Sequence, residues 1–437
     1  MTDKDARSLP PEQRLAAASW LTAPQTRRVF DTLEKAGFTV RAVGGTVRNT
    51  LLGEPVNDID LAVDASPQAV MSAAKRAGLK VVPTGIAHGT VTIVVDGTPF
   101  EVTTLRQDVS TDGRRATVAY TTDWTADAER RDFTINAIYC DRNGALLDPV
   151  GGLADIAKRS VRFIGDAHAR IREDYLRILR FFRFSAMYAG GQLDTVGLAD
   201  CTMERSGLQR LSAERVHHEL HRLLQAPFCI PVMERMDEHG FINDIMGARA
   251  DTKANVGAVA ALVSNAAATT TPRIPDDAEL RLAALAVSTP GDVAQLKDRL
   301  RLSNSETQRI ANAAEVAQSI NPQTSTTLLH ELIYRRGNDA VSDGIALAWA
   351  RYTAITDVDT SNADSDAFVD LLTAAATWSA PALPLGGRDV IARGVAPGPR
   401  VGEVIGDFER WWIAADFPDD RELMEKKLAE LILVTNR

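Results

Sequence analysis

The chain has 437 residues, 45% hydrophobic and 24% charged, which excludes collagen-like, disordered and membrane-bundle classes. At roughly 100–200 residues per domain it is expected to hold about two to four domains. With 58 Asp+Glu against 49 Lys+Arg the formal charge is −9, which on its face disfavours a polyanion as the main partner. The basic side is lopsided, 9 Lys and 40 Arg, and Arg is the side chain whose planar fork suits carboxylates, phosphates and base edges.

Up to about residue 150 the pattern is mixed α and β; beyond about 155 it is dominated by helical periodicity, with the boundary near Pro149-Val150-Gly151-Gly152. Residues 37–45 read as a strand running into a glycine turn, and 46–53 as a short helix stopped by Gly53. Residues 57–65 alternate strictly, as a half-buried strand does. Ser66-Pro67 starts a helix that runs to Gly78, with an N-cap residue followed by proline at the first helical position. Strands are predicted at 79–83, 89–96 and 98–105, and the polar, poorly periodic stretch 106–129 is predicted to be a mobile loop. Amphipathic helices are predicted at 170–188 and 212–225, an Ala-rich helical region at 250–375 with a polar break at 357–366, a proline-rich hinge at 380–387 and a last helix near 421–434. Cys140, Cys201 and Cys229 are scattered, the N-terminus lacks a signal-peptide core and no run reaches the length of a membrane span, so a cytoplasmic protein without zinc or disulfides is expected.

Within 57–65 the apolar Ile59, Leu61 and Val63 share one face, so Asp58 and Asp60 share the other. Two carboxylates two residues apart on one strand suit Mg²⁺, which takes one or two carboxylates together with substrate phosphates. Upstream, Gly44 and Gly45 open a strand-to-helix turn where backbone N–H groups can approach a phosphate, and Arg48 is placed to neutralise a phosphate oxygen. No Walker A sequence occurs. Glu101 is a candidate third carboxylate, because Phe100, Val102 and Thr104 would face the core and leave it on the opposite side. In Arg130-Arg131-Asp132-Phe133-Thr134-Ile135-Asn136, Asp132 and Asn136 stand four apart and could hydrogen-bond a ribose while one of the two arginines holds phosphate.

Over 173–183 the residues Tyr175, Ile178, Leu179 and Phe182 make an apolar stripe, leaving Asp174, Arg177, Arg180 and Arg183 in steps of three. A carboxylate that accepts from an exocyclic amino group, beside a guanidinium that donates to a ring nitrogen, admits cytosine and adenine and rejects guanine and uracil. Asp174 and Arg177 have those properties. His217-His218-Glu219-Leu220-His221 falls one residue short of a zinc-protease HExxH, and Ser212-Ala213-Glu214-Arg215 reads as a helix cap with an Arg–Glu brace.

In combination, GGTVRNTLLGEPVNDIDLAV, RRDFTINAI, DPVGGLADI, EDYLRILRFFRF and LSAERVHHEL resemble the class II nucleotidyltransferases, that is, CCA-adding tRNA nucleotidyltransferases and bacterial poly(A) polymerases. The resemblance covers about 40–225, and the segment from LPLGGRDV onward also looks like the tRNA-contacting end of CCA-adding enzymes. It implies an α+β fold: an N-terminal extension (1–24), a polymerase-β-like nucleotidyltransferase head of antiparallel sheet and helices (25–152), a helical neck that reads the base (153–225), a helical body (226–380) and a helical tail (381–437). By the same resemblance Asp58 and Asp60 match metal-binding aspartates, and Gly45 and Arg48 match phosphate contacts. Arg131 and Asp132 match a ribose and phosphate motif, and Asp174 and Arg177 match the protein template for the base, with Arg180 and Arg183 beside them. The implied activity is addition of C, C and A to the tRNA 3′ end from CTP and ATP, with Mg²⁺. Poly(A) synthesis and partial addition are the alternatives within the family, and a non-catalytic RNA-binding protein is the alternative outside it. The family usually carries Asp after GGxVR, where this chain has Asn49. The −9 also conceals a basic neck, since 158–222 holds 12 Lys+Arg against 8 Asp+Glu.

Overall fold

The computed structural model describes residues 9–112, 115–247, 252–269, 271–355 and 362–434. They fall into two compact units that meet in sequence between Ile245 and Met246.

The first unit is built on a seven-stranded sheet of order β3-β4-β5-β2-β1-β8-β9. Its strands are β1 Val40–Val43, β2 Asp60–Val63, β3 Lys80–Gly85, β4 Thr90–Val95, β5 Thr98–Thr104, β8 Tyr139–Cys140 and β9 Leu146–Leu147. All neighbours run antiparallel except β2 and β5, which are parallel with Asp60 opposite Glu101. Of the predicted strand 57–65 only Asp60–Val63 is strand, and it is buried on both faces rather than one, since Ala62 is 1% exposed; the alternation of direction holds within it. Leu61 and Val63 are fully buried and Ile59 is partly buried against the same core, which also takes Val40, Ala42, Val91, Ile93, Phe100 and Val102. The helices Pro24–Lys35 and Pro67–Arg76 supply Val29, Phe30, Leu33, Val70 and Ala73 to it. Each fully buried side chain of this kind contributes roughly 1.5–3 kcal/mol of transfer free energy. Ser66 caps the second of those helices by accepting from the Ala69 N–H, with Pro67 in its first turn, as predicted. The opposite face of the sheet is covered as well, where Val43, Ala62, Leu105, Ala128 and Tyr139 pack together with Trp124.

The described residues of 106–129 are mostly strand and helix, where the polarity of the stretch predicts a loop. They form a two-stranded antiparallel sheet, β6 Arg106–Asp112 and β7 Arg115–Tyr120, followed by the helix Trp124–Glu129. The base of β6 is tied down by the Arg106 N–H donating to Asp127 Oδ1 at 3.1 Å, a contact between residues 21 apart that local polarity does not register. The helix predicted over 170–188 is two helices, Ala167–Glu173 and Leu176–Tyr188. Between them Asp174 is extended (φ −152°, ψ 103°) and its Oδ1 accepts from the Leu176 N–H at 3.1 Å, so it ends one helix and starts the next. Tyr175 lies flat over Gly207, where a Cβ would come within 1.9 Å of the ring. The helix Leu176–Tyr188 buries Ile178, Leu179, Phe181, Phe182 and Phe184, and Phe184 stacks 5.2 Å from Phe133 of the RRDFTIN segment.

The second unit is helical. Its longest helix, Asn338–Ile355, packs against Thr252–Ala268 and Asn304–Ala317, the latter so closely that a Cβ on Gly344 would sit 2.3 Å from Val316. The helix Asn362–Thr377 begins inside the predicted polar break, and positions 357–361 of that break lie outside the described residues. Arg309 is gripped by Asp277, Glu279 and Asp343. The last helices, Pro399–Ala414 and Arg421–Val434, close a core of Val404, Phe408, Trp412, Met424 and Leu428. Among the described residues no helix is long and apolar enough to cross a membrane.

Candidate active site

β1 ends at Val43 and the helix Gly45–Leu52 begins one residue later, so the turn between them rests on Gly44 alone. Gly44 takes φ 67°, ψ −130°, a conformation costly for any residue with a Cβ. The space a Cβ would fill faces Asp60 Oδ2 at 3.8 Å and Arg131 Nη1 at 4.0 Å. The bare turn, an aspartate of β2 and the guanidinium of Arg131 therefore surround one spot, and no side chain caps the helix that starts there. A helix N-terminus left uncapped beside a guanidinium suits an anion.

Asp58 and Glu101 are exposed and Asp60 is half-buried. Burial, reinforced by the nearby charges of Glu101 and Asp58 and only partly offset by Arg131 and Arg48, pushes the Asp60 carboxyl up to about 6. Such a carboxyl gains from a cation beside it. Among the described residues no cluster of three or more His, Cys, Asp or Glu is arranged to hold a metal by itself. An all-oxygen pair that leaves most ligand positions to water and phosphate fits a hard divalent cation and does not fit zinc.

Arg131 is fixed by Asp127, a residue outside the motifs of the sequence analysis. Asp127 is 1% exposed. Its Oδ2 accepts from Arg131 Nη2 at 3.0 Å and from the Tyr139 hydroxyl at 2.8 Å, and its Oδ1 accepts from Arg130 Nε and the Arg106 N–H, both at 3.1 Å. Burial alone would raise this carboxyl, yet Arg131 and Arg130 bring it below the ordinary range. Burial likewise opposes the charge on Arg131, but Tyr139 and Asp127 hold its pKa above the usual value.

Asp132 and Asn136 come together with Arg48 and Arg180 in one buried chain of polar groups. Arg180 donates through Nε at 2.8 Å and Nη2 at 2.5 Å to Asp132 Oδ2; Asn136 donates to Asp132 Oδ1 at 3.0 Å and accepts from Arg48 Nη1. Burial would raise the Asp132 carboxyl, but Arg180 and Asn136 hold it at about 2. Arg48 is 6% exposed, donates to the Tyr188 hydroxyl at 2.7 Å and stacks 4.1 Å from that ring. Its Nε and Nη2 also donate to Asn49 Oδ1, while the Asn49 amide donates to the Pro55 carbonyl at 2.7 Å. Asn49 thus serves as acceptor and donor at once, which an ionised Asp cannot do, and the departure at this position braces the turn. Burial lowers the Arg48 pKa, with Tyr188 opposing.

Asp174 and Arg177 each have a holder. Asp174 Oδ2 accepts from Arg215 Nη2 at 2.6 Å, and Arg177 Nη1 donates to Glu173 Oε2 and the Arg170 carbonyl, each at 2.6 Å. Arg215 therefore braces Asp174 rather than Glu214, which is exposed, and Ser212 makes no side-chain cap bond. Arg183 is not part of an open staircase: it is 5% exposed and donates to Glu219 Oε2 at 2.5 Å, so the Glu of the HELH run is a buried partner for arginines. Of the partners that motif spacing does not mark, Tyr139, Glu219 and Tyr188 lie 8, 36 and 140 residues from the groups they hold, whereas Asp127 stands only four residues from Arg131, a helical spacing that is a local signal for the pair.

The poly A polymerase head domain family matches residues 40–162. The mitochondrial CCA tRNA nucleotidyltransferase 1 of Danio rerio is 42% identical over 210 residues, 47% of this chain and 49% of that protein, so the chain spans about half the length of this relative. The CCA-adding enzyme of Limosilactobacillus fermentum is 28% identical over 93% of this chain and 96% of its own length. Among solved structures, the Bacillus stearothermophilus CCA-adding enzyme in complex with CTP has a TM-score of 0.72 at 26% identity, covering 97% of this chain and 98% of that one. The Thermotoga maritima CCA-adding enzyme complexed with tRNA shares the fold, with a TM-score of 0.69 at 20% identity over 97% and 99% of the two chains. The match in the head and the likeness across the helical remainder fall on the same group of proteins: residues 40–162 form a poly A polymerase head domain, and over nearly its whole length the chain is similar to the CCA-adding enzymes.

Proposed function

We propose that the protein adds C, C and A to the 3′ end of tRNA from CTP and ATP, without a nucleic-acid template, in a Mg²⁺-dependent reaction that releases pyrophosphate. The observation that carries this reading is the meeting of Asp60 and Arg131 at the bare Gly44 turn. Mg²⁺ at Asp58 and Asp60 would lower the pKa of the primer hydroxyl and neutralise charge on the triphosphate. Asp58 and Asp60 present carboxylate oxygens at the start of β2, with Glu101 raising the local negative potential from the neighbouring strand. The Gly44-Gly45 turn and Arg131 bind phosphate. Arg48, committed to Asn49, Asn136 and Tyr188, supports the turn from behind, and Asp132, Asn136 and Arg180 form the wall beside the sugar, with Arg183 bracing it through Glu219.

Asp174 and Arg177 read the base. Arg215 and the Leu176 N–H fix the carboxylate while each oxygen keeps a lone pair for an exocyclic amino group. Glu173 takes one nitrogen of Arg177 and leaves the others for a ring nitrogen. The acidic total charge is no obstacle to a tRNA partner, because the divalent cation neutralises the acids nearest the primer.

Transcripts lacking the last one, two or three nucleotides, offered each nucleoside triphosphate alone and together, test the activity. C incorporation stopping after two and A after one is the expected result. An ATP-only ladder would assign poly(A) synthesis instead, and binding without any transfer would leave an RNA-binding protein. Arg177→Ala is expected to relax the exclusion of UTP and GTP by about 10- to 200-fold in relative kcat/KM, the scale of about 1–3 kcal/mol of lost discrimination. Unchanged selectivity would remove Arg177 from base reading.

A further inference from the structure

Thr46 is fully buried in the first turn of the helix Gly45–Leu52, two residues past Gly44. Its hydroxyl donates to the Asp58 carbonyl at 3.1 Å and accepts from the Asp60 N–H at 2.9 Å. One oxygen thereby spans the short stretch of backbone that carries both aspartates. Asp58 lies ahead of β2, which begins at Asp60, and the Ile59 carbonyl between them is held by the Glu101 N–H at 3.2 Å. The Thr46 bond is what fastens the Asp58 peptide to the helix. Behind it, the Thr46 carbonyl accepts from the Thr50 hydroxyl at 2.8 Å, and that hydroxyl accepts from Trp20 Nε1 at 2.8 Å. The Ser19–Thr22 helix and the carboxylate strand are thus both tied to Thr46, the first through its backbone carbonyl and the second through its hydroxyl.

The phosphate turn and the carboxylate pair lie on different elements, yet a shared cation and triphosphate require them in one register. The β1–β2 ladder fixes the strands as far as Ala42 opposite Leu61 and stops there, so backbone pairing does not reach from the Gly44 turn to the Asp58–Asp60 stretch. A buried hydroxyl with two bonds at hydrogen-bond length fixes it within a few tenths of an ångström. We infer that Thr46 is a positioning residue that locks Asp58 and Asp60 to the Gly44 turn and so sets the affinity of the pair for a divalent cation. The inference rests on the metal reading of Asp58 and Asp60 made above.

The test uses the full chain with Mn²⁺ as the sole added ligand, its binding followed by electron paramagnetic resonance without nucleotide or tRNA. Kinetics and thermal unfolding are measured alongside. Thr46→Val keeps the shape and removes both bonds; Thr46→Ser keeps the hydroxyl. Thr46→Val is expected to weaken Mn²⁺ binding about 10- to 100-fold, the usual effect of removing an outer partner of a metal ligand, and to lower kcat more than it raises the KM for CTP. Thr46→Ser is expected to restore Mn²⁺ affinity to within about threefold of the parent, a difference under about 0.7 kcal/mol. Wild-type Mn²⁺ affinity in Thr46→Val, or an equal loss in Thr46→Ser, overturns the role of Thr46. Asp60→Ala separates the two layers: if it binds Mn²⁺ as the parent does, the metal assignment itself fails, whereas loss there with no change in Thr46→Val sinks the positioning role alone.

Discussion

Asp60→Asn is expected to eliminate nucleotide transfer while making the metal-free protein more stable at neutral pH. Asp60 sits half-buried against Glu101 and Asp58, and its carboxyl is pushed up to about 6 in the folded chain. An unfolded Asp titrates near 3.9, so between those values the unfolded state holds its charge more easily than the folded one. The sign follows: the folded state is favoured most below about pH 4, loses stability as the pH rises towards 6 and stays penalised above it. Asparagine carries no charge and escapes the penalty, worth about 1–3 kcal/mol at pH 7.5 after discounting for partial exposure. Calorimetry in a chelator should show the variant melting later than the parent at pH 7.5 and together with it at pH 4. Transfer should fall by about three orders of magnitude or more, because several kcal/mol of charge stabilisation in the transition state goes with the carboxylate. A variant that melts earlier at pH 7.5, or that still transfers, contradicts the account. An excess of Mg²⁺ should stabilise the parent and leave the variant unmoved.

The parts of the head that depend on local periodicity could be read directly. Strict alternation puts Leu61 and Val63 on the core face and Asp60 on the other, and Ser66-Pro67 marks a helix start, because both signals lie within a few residues of their cause. The 106–129 hairpin was invisible for the opposite reason: its anchor, Asp127, is 21 residues from the amide it holds. Asp174 was read as one step on a continuous helix, yet its own carboxylate caps the following turn and breaks the helix there, a competition between side chain and backbone that periodicity does not register. Arg48 and Arg183 were legible as chemistry but not as buried groups, since Tyr188 and Glu219, which pair with them, stand 140 and 36 residues away. Motif spacing marks charged and polar positions such as Asp60, Arg131 and Asp174, whereas partners such as Tyr188 and Glu219 emerge only from the fold.

Asp127→Ala should be the most damaging substitution away from the aspartate pair. It removes the common acceptor of Arg131, Arg130, Tyr139 and the Arg106 amide, leaving the Arg131 charge without its buried partner, a loss of about 3–5 kcal/mol. The pH dependence has the opposite sign to that of Asp60. Asp127 and Asp132 both titrate below an unfolded aspartate, so the stability they contribute is complete above about pH 4 and is lost as the pH falls, for Asp132 through about 2. Acid unfolding of the parent should therefore steepen below pH 4, and Asp127→Ala should flatten that limb. Because Arg131 points at the Gly44 turn, the same substitution should raise the KM for CTP and ATP as well as lower kcat, measured on the fraction still folded. The pairing itself is isolated by combining Asp127→Ala with Arg131→Met. Removing both charges should recover part of the lost stability, since no orphaned guanidinium remains buried, while transfer stays low for want of the phosphate contact. Strictly additive stability losses in the double variant would mean that Asp127 does not act through Arg131, and its place in the site would fall with that result.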